Sequence, residues 1–168
     1  MRAKYSLLIW LILLCFSSCS RQQIVSVSTP LFINFPISTH VFDNIAPVLY
    51  EAIHQQLAHT GFSIVDQPKH AYCLVIEIKS LEPFQKNISP DIVLLSYKVR
   101  MEYNIKVLNH AGVVVFNHNE SCAILISKPR DPMLNDTFIY STYQMLANRA
   151  ARLIQQQLIT NSKHIFGS

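Results

Sequence analysis

The clearest pattern in the chain is a strict alternation of apolar and polar residues between Val93 and Val107. Every odd position in this stretch is apolar or tyrosine, whereas the even positions from Ser96 onward are polar or charged. Successive side chains of a β-strand point to opposite faces of a sheet. The period of two therefore predicts a long strand with one dry face and one wet face.

Three further strands are predicted from shorter patterns. In chain order, the predicted strands are residues 31–35, 72–79, 93–107 and 113–126. The first strand stops at Pro36, and the second places Glu77 and Lys79 on its polar face. Between the last two strands, Asn109 to Gly112 predicts a hairpin turn, because glycine adopts positive φ without strain. Residues 80–91 and 128–135, which contain prolines, are predicted to be loops.

Apolar residues at helical spacing predict two helices. The first has Asp43 or Asn44 as its N-cap, Pro47 in its first turn and Gly61 after its last turn. Its predicted apolar face consists of Ile45, Leu49, Ala52, Ile53 and Leu57. The second begins after Asn135 or Asp136, and its predicted apolar face consists of Ile139, Tyr143, Leu146, Ala150, Leu153 and Leu158.

The element order is therefore β-α-β-β-β-α, which predicts an α+β two-layer sandwich. Two amphipathic helices cover the dry face of a four-stranded mixed sheet. The first β-α-β unit is expected to be a right-handed crossover between parallel strands, and the remaining strands an antiparallel meander. A single domain over residues 31–160 follows, and residues 161–168 are predicted to be a frayed tail.

The N-terminus has the layout of a secretory signal. Arg2 and Lys4 precede an apolar run that ends in Ser17, Ser18 and Cys19. This run is shorter than the ~20 apolar residues that a membrane-spanning helix needs. Small residues followed by cysteine resemble a bacterial lipoprotein signal, in which residues 1–18 are removed and Cys19 carries fatty-acyl chains such as palmitate. Residues 19–30 then form a tether; a plain secretory signal is the alternative.

Composition and charge argue against several classes of function. Loss of Arg2 and Lys4 with the signal lowers the net charge from +4 to +2, and the remaining basic residues are scattered, so no nucleic-acid partner is expected. The 7 histidines lack the spacing of a zinc site, and 3 glycines cannot build a phosphate-binding loop. No catalytic residues, metal ligands or cofactors are predicted, and the protein is not expected to be an enzyme. Cys73 and Cys122 are either a disulfide, permitted in an oxidising compartment, or two separate thiols.

Three features together resemble the family of the LPS-assembly lipoprotein LptE. They are the anchor at Cys19, the strand at 31–35 followed by a helix with the turn Leu57 to Gly61, and the long strand with its hairpin, return strand and terminal helix. The last of these carries Ser96 to Val99 and Ala147 to Ala151. The resemblance implies a lipid-anchored protein on the periplasmic side of the outer membrane. Ser20 after the cysteine agrees with this location, because it is not the aspartate that retains lipoproteins in the inner membrane.

The resemblance also implies a function and two partners. The domain would plug and support the outer-membrane β-barrel LptD and assist lipopolysaccharide assembly at the cell surface. Candidate lipopolysaccharide-binding residues are Lys86, Lys98, Arg100, Lys106, Lys128 and Arg130. The alternative is that these are solvated strand and loop charges. A second possible function is another periplasmic scaffold, either an auxiliary subunit of a lipid-transport ABC system or an activator of a cell-wall synthase.

Overall fold

The computed structural model describes residues 29–36, 44–58, 60–88, 95–127 and 135–167, and gives the backbone alone for 83–88, 95–97, 127, 135 and 136. The elements are β1 Thr29–Asn34, α1 Ala46–Ala58, β2 Phe62–Ile64, β3 Tyr72–Ile88, β4 Leu95–Leu108, β5 Val114–Ser127, α2 Asn135–Thr160 and α3 Ser162–Phe166. The predicted signal peptide over 1–18, the lipidation site Cys19 and the tether up to residue 28 lie outside the described residues. The predicted cap residue Asp43 also lies outside them.

The strands form one mixed sheet in the order β2-β1-β3-β4-β5. β1 pairs in parallel with both β2 and β3, and β3, β4 and β5 form an antiparallel meander. The predicted α+β class and mixed sheet are confirmed, but the sheet has five strands rather than four. The additional strand, β2, has only 3 residues, which is too short for a hydrophobic period to be recognised. It follows Gly61, whose φ of 83° permits the turn out of α1.

The predicted loop over residues 80–91 is wrong in its first part, because β3 continues to Ile88. Its register against β4 shifts twice, between Ile78 and Ser80 and again between Glu82 and Gln85. Each shift moves the alternation of side chains by one position. Pro83 lies within the second shift, which is where a strand tolerates a residue without an N–H group. These irregularities end the simple period of two at Lys79 although the strand itself continues.

Both long helices pack on the same face of the sheet and enclose the hydrophobic core. All five residues of the predicted apolar face of α1 are buried. From the sheet, the odd positions of β4 between Val99 and Val107 are buried, as the alternation predicts. The buried residues of α2 are Thr142, Leu146, Ala147, Ala150, Ala151, Ile154 and Leu158. The two-layer sandwich therefore has one covered face and leaves the wet face of the long strands without a described element upon it.

The predicted frayed tail is replaced by a short helix, α3. Ile165 of this helix is only 4% exposed. The Phe166 ring packs edge-on against Tyr72, with ring centroids 4.9 Å apart, and also contacts Phe62 at 5.6 Å. Two apolar side chains are too few to show a helical period, so the sequence pattern alone did not distinguish this helix from a frayed end.

The two cysteines within the domain are separate thiols. Cys73 lies opposite Phe32 of β1 and Leu108 of β4, whereas Cys122 on β5 pairs with Met101. Met101 is on the covered face and Leu108 is on the other, so the two sulfur atoms lie on opposite faces of the sheet. β4 separates their strands, which alone places them about 10 Å apart. A disulfide needs Cα atoms within ~7 Å, so these residues do not form one within the chain.

Candidate functional site

The wet face of the three long strands carries a dense group of polar side chains, which we call the uncovered face. It consists of Glu77, Lys79 and Glu82 of β3, Lys98, Arg100, Glu102, Asn104 and Lys106 of β4, and Asn117, Asn119 and Ser121 of β5. Antiparallel register sets this grouping, because residues that pair across two strands share a face. Asn104, for example, pairs with Glu77 on one side and Asn119 on the other.

Asn104 is the centre of a hydrogen-bond network on this face. Although it occupies a predicted wet position, it is only 3% exposed. Its Nδ2 group donates to Asn117 Oδ1 at 2.8 Å and to Asn119 Oδ1 at 2.9 Å, and the His118 carbonyl oxygen lies 3.2 Å from the same nitrogen. Lys79 Nζ donates to the same Asn119 Oδ1 at 2.8 Å. The amides of β4 and β5 and the ammonium group of β3 are thus held in one fixed arrangement.

The charges on the uncovered face largely pair with one another. Lys106 Nζ lies 3.1 Å from Glu77 Oε2, and an Arg100 guanidinium nitrogen lies 3.1 Å from Glu102 Oε1. Glu82 pairs in register with Arg100 from the neighbouring strand. These ion pairs are partly exposed, so each contributes little to stability, ~0–1 kcal/mol. Their main effect is to reduce the positive potential that an anionic ligand would meet at Arg100 and Lys106.

The structure brings three of the six candidate lipopolysaccharide-binding residues onto one face. Lys98, Arg100 and Lys106 occupy even positions of β4. Of these, Lys98 is exposed and has no ion-pair partner among the described side chains. Lys86 pairs with Tyr97, an odd position of β4, so it does not belong to the same series of positions. Lys128 and Arg130 lie outside the described residues.

The sequence patterns missed several residues of this face. Asn117 and Asn119 of β5 were not assigned to a site, because His118, Asn119 and Glu120 interrupt the alternation of this strand. Lys79 was placed on the polar face of its strand, but its position beside Asn119 on β5, two strands away, depends on the register of all three strands. The hairpin turn at Asn109 was the sequence signal from which the β4–β5 register could have been predicted. Asn109 Oδ1 accepts hydrogen bonds from the Ala111 and Val113 N–H groups at 3.0 Å, which fixes the turn and hence the β4–β5 pairing.

A shallow groove of about 410 Å³ crosses the uncovered face. Lys79, Arg100, Glu102, Asn119 and Ser121 are among its lining residues. The groove therefore presents ammonium, guanidinium, carboxylate, amide and hydroxyl groups side by side. Such a mixture suits contacts with polar or zwitterionic groups better than the binding of an apolar molecule.

The covered face holds the few buried groups that could titrate. Tyr103 is fully buried, its hydroxyl has no hydrogen-bond partner among the described residues, and burial raises its pKa. Burial also raises the pKa of Cys122 to about 11, although Arg149 opposes this shift. Cys122 is therefore a neutral thiol at pH 7, whereas a nucleophilic cysteine needs a lowered pKa. Burial likewise raises the pKa of Cys73, which is half-buried on the opposite face of the sheet.

The described residues contain no cluster of three or more His, Cys, Asp or Glu side chains that could hold a metal ion. Within the same residues, no helix combines the length and the apolar character needed to cross a membrane.

Comparison with known proteins relates this fold to bacterial lipoproteins. No protein-family model and no curated protein matches the sequence. Among solved structures, a minor lipoprotein from Acinetobacter baumannii matches with a TM-score of 0.59 and 15% identity, over 81% of this chain and 94% of that one. Rare lipoprotein B from Shewanella oneidensis matches with a TM-score of 0.57 and 14% identity, over 79% of this chain and 96% of that one.

The chain shares its fold with these bacterial lipoproteins over most of their length. At identities this low, the likeness concerns the fold and not the individual residues of a site. It is compatible with the lipoprotein signal predicted for the first 19 residues of this sequence, which is a separate inference from a different part of the chain.

Proposed function

We propose that this protein is a non-enzymatic, lipid-anchored lipoprotein of the outer membrane that plugs and supports the β-barrel LptD and assists lipopolysaccharide assembly at the cell surface. The observation that carries the proposal is the combination of a bacterial-lipoprotein fold with a signal that ends at Cys19. Acylated Cys19 holds the protein at the periplasmic side of the membrane, and the folded domain binds the partner.

The uncovered face supports a role in binding. Its four basic and three acidic side chains, together with the asparagines around Asn104, form a rigid polar surface. The interior wall of a membrane β-barrel is also polar. A polar sheet face is therefore chemically suited to contact such a wall, where an apolar face would not be.

Lipopolysaccharide contact is the finer part of the proposal. The phosphate groups of lipopolysaccharide require cationic side chains that carboxylates of the protein have not already neutralised. Lys98 meets this condition among the described side chains, whereas Arg100 and Lys106 each have a carboxylate at 3.1 Å. We therefore rank Lys98 first among the six candidates from the sequence.

The absence of an enzymatic role is part of the same proposal. The buried thiol of Cys122 and the buried hydroxyl of Tyr103 both have raised pKa values, which keeps them protonated and unsuited to nucleophilic chemistry at neutral pH. A binding and scaffolding function needs no catalytic group.

Depletion of the protein in its own cells tests the function. The proposal predicts that the LptD barrel fails to reach its folded form and that newly made lipopolysaccharide accumulates before the outer leaflet. Normal folding of the barrel and normal surface lipopolysaccharide after depletion would refute it. Defects in phospholipid transport or in cell-wall synthesis instead would favour the second possible function, a scaffold of an ABC system or of a cell-wall synthase.

A further inference from the structure

The outer edge of β5, a strand of 14 residues, has no described strand beside it. Among the described strands, β5 pairs with β4 alone and is the last strand on its side of the sheet. Every backbone N–H and C=O group on its outer side therefore lacks a strand partner there. The opposite edge, β2, is only 3 residues long. The sheet thus has one long edge onto which another strand could be added.

The sequence of β5 carries few of the features that protect an edge strand. Residues Val114–Ser127 contain no proline, no lysine and no arginine, and Glu120 is the single acidic residue. Natural edge strands are usually protected by lysine, proline, bulges or a covering element. Glu120 does occupy one backbone group, because its Oε1 accepts a hydrogen bond from the Ser121 N–H at 3.2 Å. Beyond it, residues 122–126 form an unprotected apolar stretch in which Leu125 is 66% exposed.

A groove of about 540 Å³ runs beside this stretch, between β5 and helix α2. Ile124 of the strand and Leu153 and Met145 of the helix supply its apolar surface. Met145 is 48% exposed, although methionine side chains are commonly buried. An edge strand with a helix alongside is the geometry in which an added peptide strand forms main-chain hydrogen bonds and places alternate side chains into the groove.

The charge at the rim of the groove indicates what such a peptide should carry. Arg149 and Arg152 both line it, and both are exposed. Neither guanidinium has a carboxylate partner among the described residues. On the uncovered face, by contrast, Arg100 and Lys106 do have such partners. Two arginines with no described carboxylate partner at a groove favour a carboxylate from outside, because the guanidinium group binds carboxylates in a bidentate geometry.

We propose that the edge of β5 at residues 122–126, together with the groove along α2, binds an extended polypeptide segment that carries acidic residues and adds as a sixth strand. Cys122, Ile124 and Ile126 of this stretch lie on the covered face, whereas Ala123 and Leu125 pair with Arg100 and Lys98 of the uncovered face. The site does not depend on the proposed function, and a partner other than a β-barrel can supply the segment.

Three synthetic peptides of ten residues test the proposal. Valine alternates with threonine in each peptide, and two threonines are replaced. The replacement is Glu in the first peptide, Gln in the second and Lys in the third. Binding to the full chain in detergent micelles is measured by fluorescence anisotropy. The Glu peptide is expected to bind at least tenfold more tightly than the Lys peptide. The double variant Arg149→Glu, Arg152→Glu is expected to reverse this order, while Lys163→Glu, an exposed change of the same sign on α3, leaves it unchanged.

Hydrogen exchange distinguishes strand addition from simple charge attraction. With the Glu peptide bound, the backbone amides of residues 121–126 are expected to exchange at least tenfold more slowly, with little change at Glu77 or Lys79 on the uncovered face. The proposal is overturned if none of the peptides binds saturably, if the charge reversal leaves their order intact, or if protection falls outside β5. A stable dimer of the free chain with these amides already protected would also overturn it, since a second copy would then occupy the edge.

Discussion

Asn104 shows how a single residue can differ from the pattern around it. It stands at a wet position of the most regular alternation in the chain, yet it is buried by its neighbours on the uncovered face. Three oxygen atoms of β5 lie within hydrogen-bond distance of its Nδ2 group, which compensates for the burial of that group. The period of the sequence predicts the face of the sheet on which a residue lies. It does not predict how far neighbouring side chains bury that residue. Sequence patterns therefore predicted its face correctly but not its role.

The network around Asn104 leads to a prediction about stability. Asn104→Ala removes the donor shared by Asn117 and Asn119 and is expected to lower the free energy of unfolding by about 1–3 kcal/mol. Asn117→Ala, at an exposed position of the same network, is expected to cost less than about 1 kcal/mol. Urea unfolding followed by circular dichroism measures both values. Equal losses for the two variants would contradict a central role for Asn104.

Lys98 leads to a prediction about lipopolysaccharide. Lys98→Glu is expected to weaken binding of purified lipopolysaccharide by about three- to tenfold, because Lys98 has no described carboxylate partner while it lies on the uncovered face. Lys69→Glu, at an exposed position of a loop, serves as the charge-matched control. Displacement of a fluorescent lipopolysaccharide probe measures the affinities. A similar loss for both variants would indicate a response to net charge rather than a site at Lys98.

At the scale of elements, regular patterns predicted regular structure. The face of α1 and the dry faces of β3 and β4 match the sequence analysis, because each depends on burial repeated at a fixed period. The extension of β3 beyond Lys79 was missed because its bulges change the period. β2 and α3 were missed because they are too short to contain a period. The candidate site was predicted less completely than the fold. The grouping of Lys79, Asn104 and Asn119 depends on the register of three strands, which sequence patterns do not provide.

Helix α3 offers a test of the corrected C-terminus. Ile165→Ala is expected to lower the free energy of unfolding by about 2–4 kcal/mol, because the side chain is buried in the core and its removal leaves a cavity. His164→Ala, at the adjacent exposed position, is expected to change it by less than about 0.5 kcal/mol. Thermal or urea unfolding compares the two proteins. If both variants were as stable as the parent, the end of the chain would be frayed as the sequence analysis predicted.

At the scale of the whole molecule, the proposed function assigns anchoring and folding to different segments of the chain. The described core contains residues from Leu31 to Ile165, so the proposed anchor at Cys19 precedes it in the chain. Cys19→Ala is therefore expected to move the protein out of the membrane fraction while its melting temperature stays the same. Ser20→Asp is a matched variant that keeps the lipid but is expected to retain the protein in the inner membrane. Unfolding of the domain in Cys19→Ala would contradict this division.

The central claim is that the anchored domain binds the LptD barrel in the outer membrane. Affinity purification of the intact, tagged chain from outer membranes, followed by mass spectrometry with stoichiometry, tests this most directly. The account predicts recovery of the LptD barrel in a ratio near one to one, and its loss in the Ser20→Asp variant. Recovery of inner-membrane transport subunits or cell-wall synthases, with no barrel present, would contradict it.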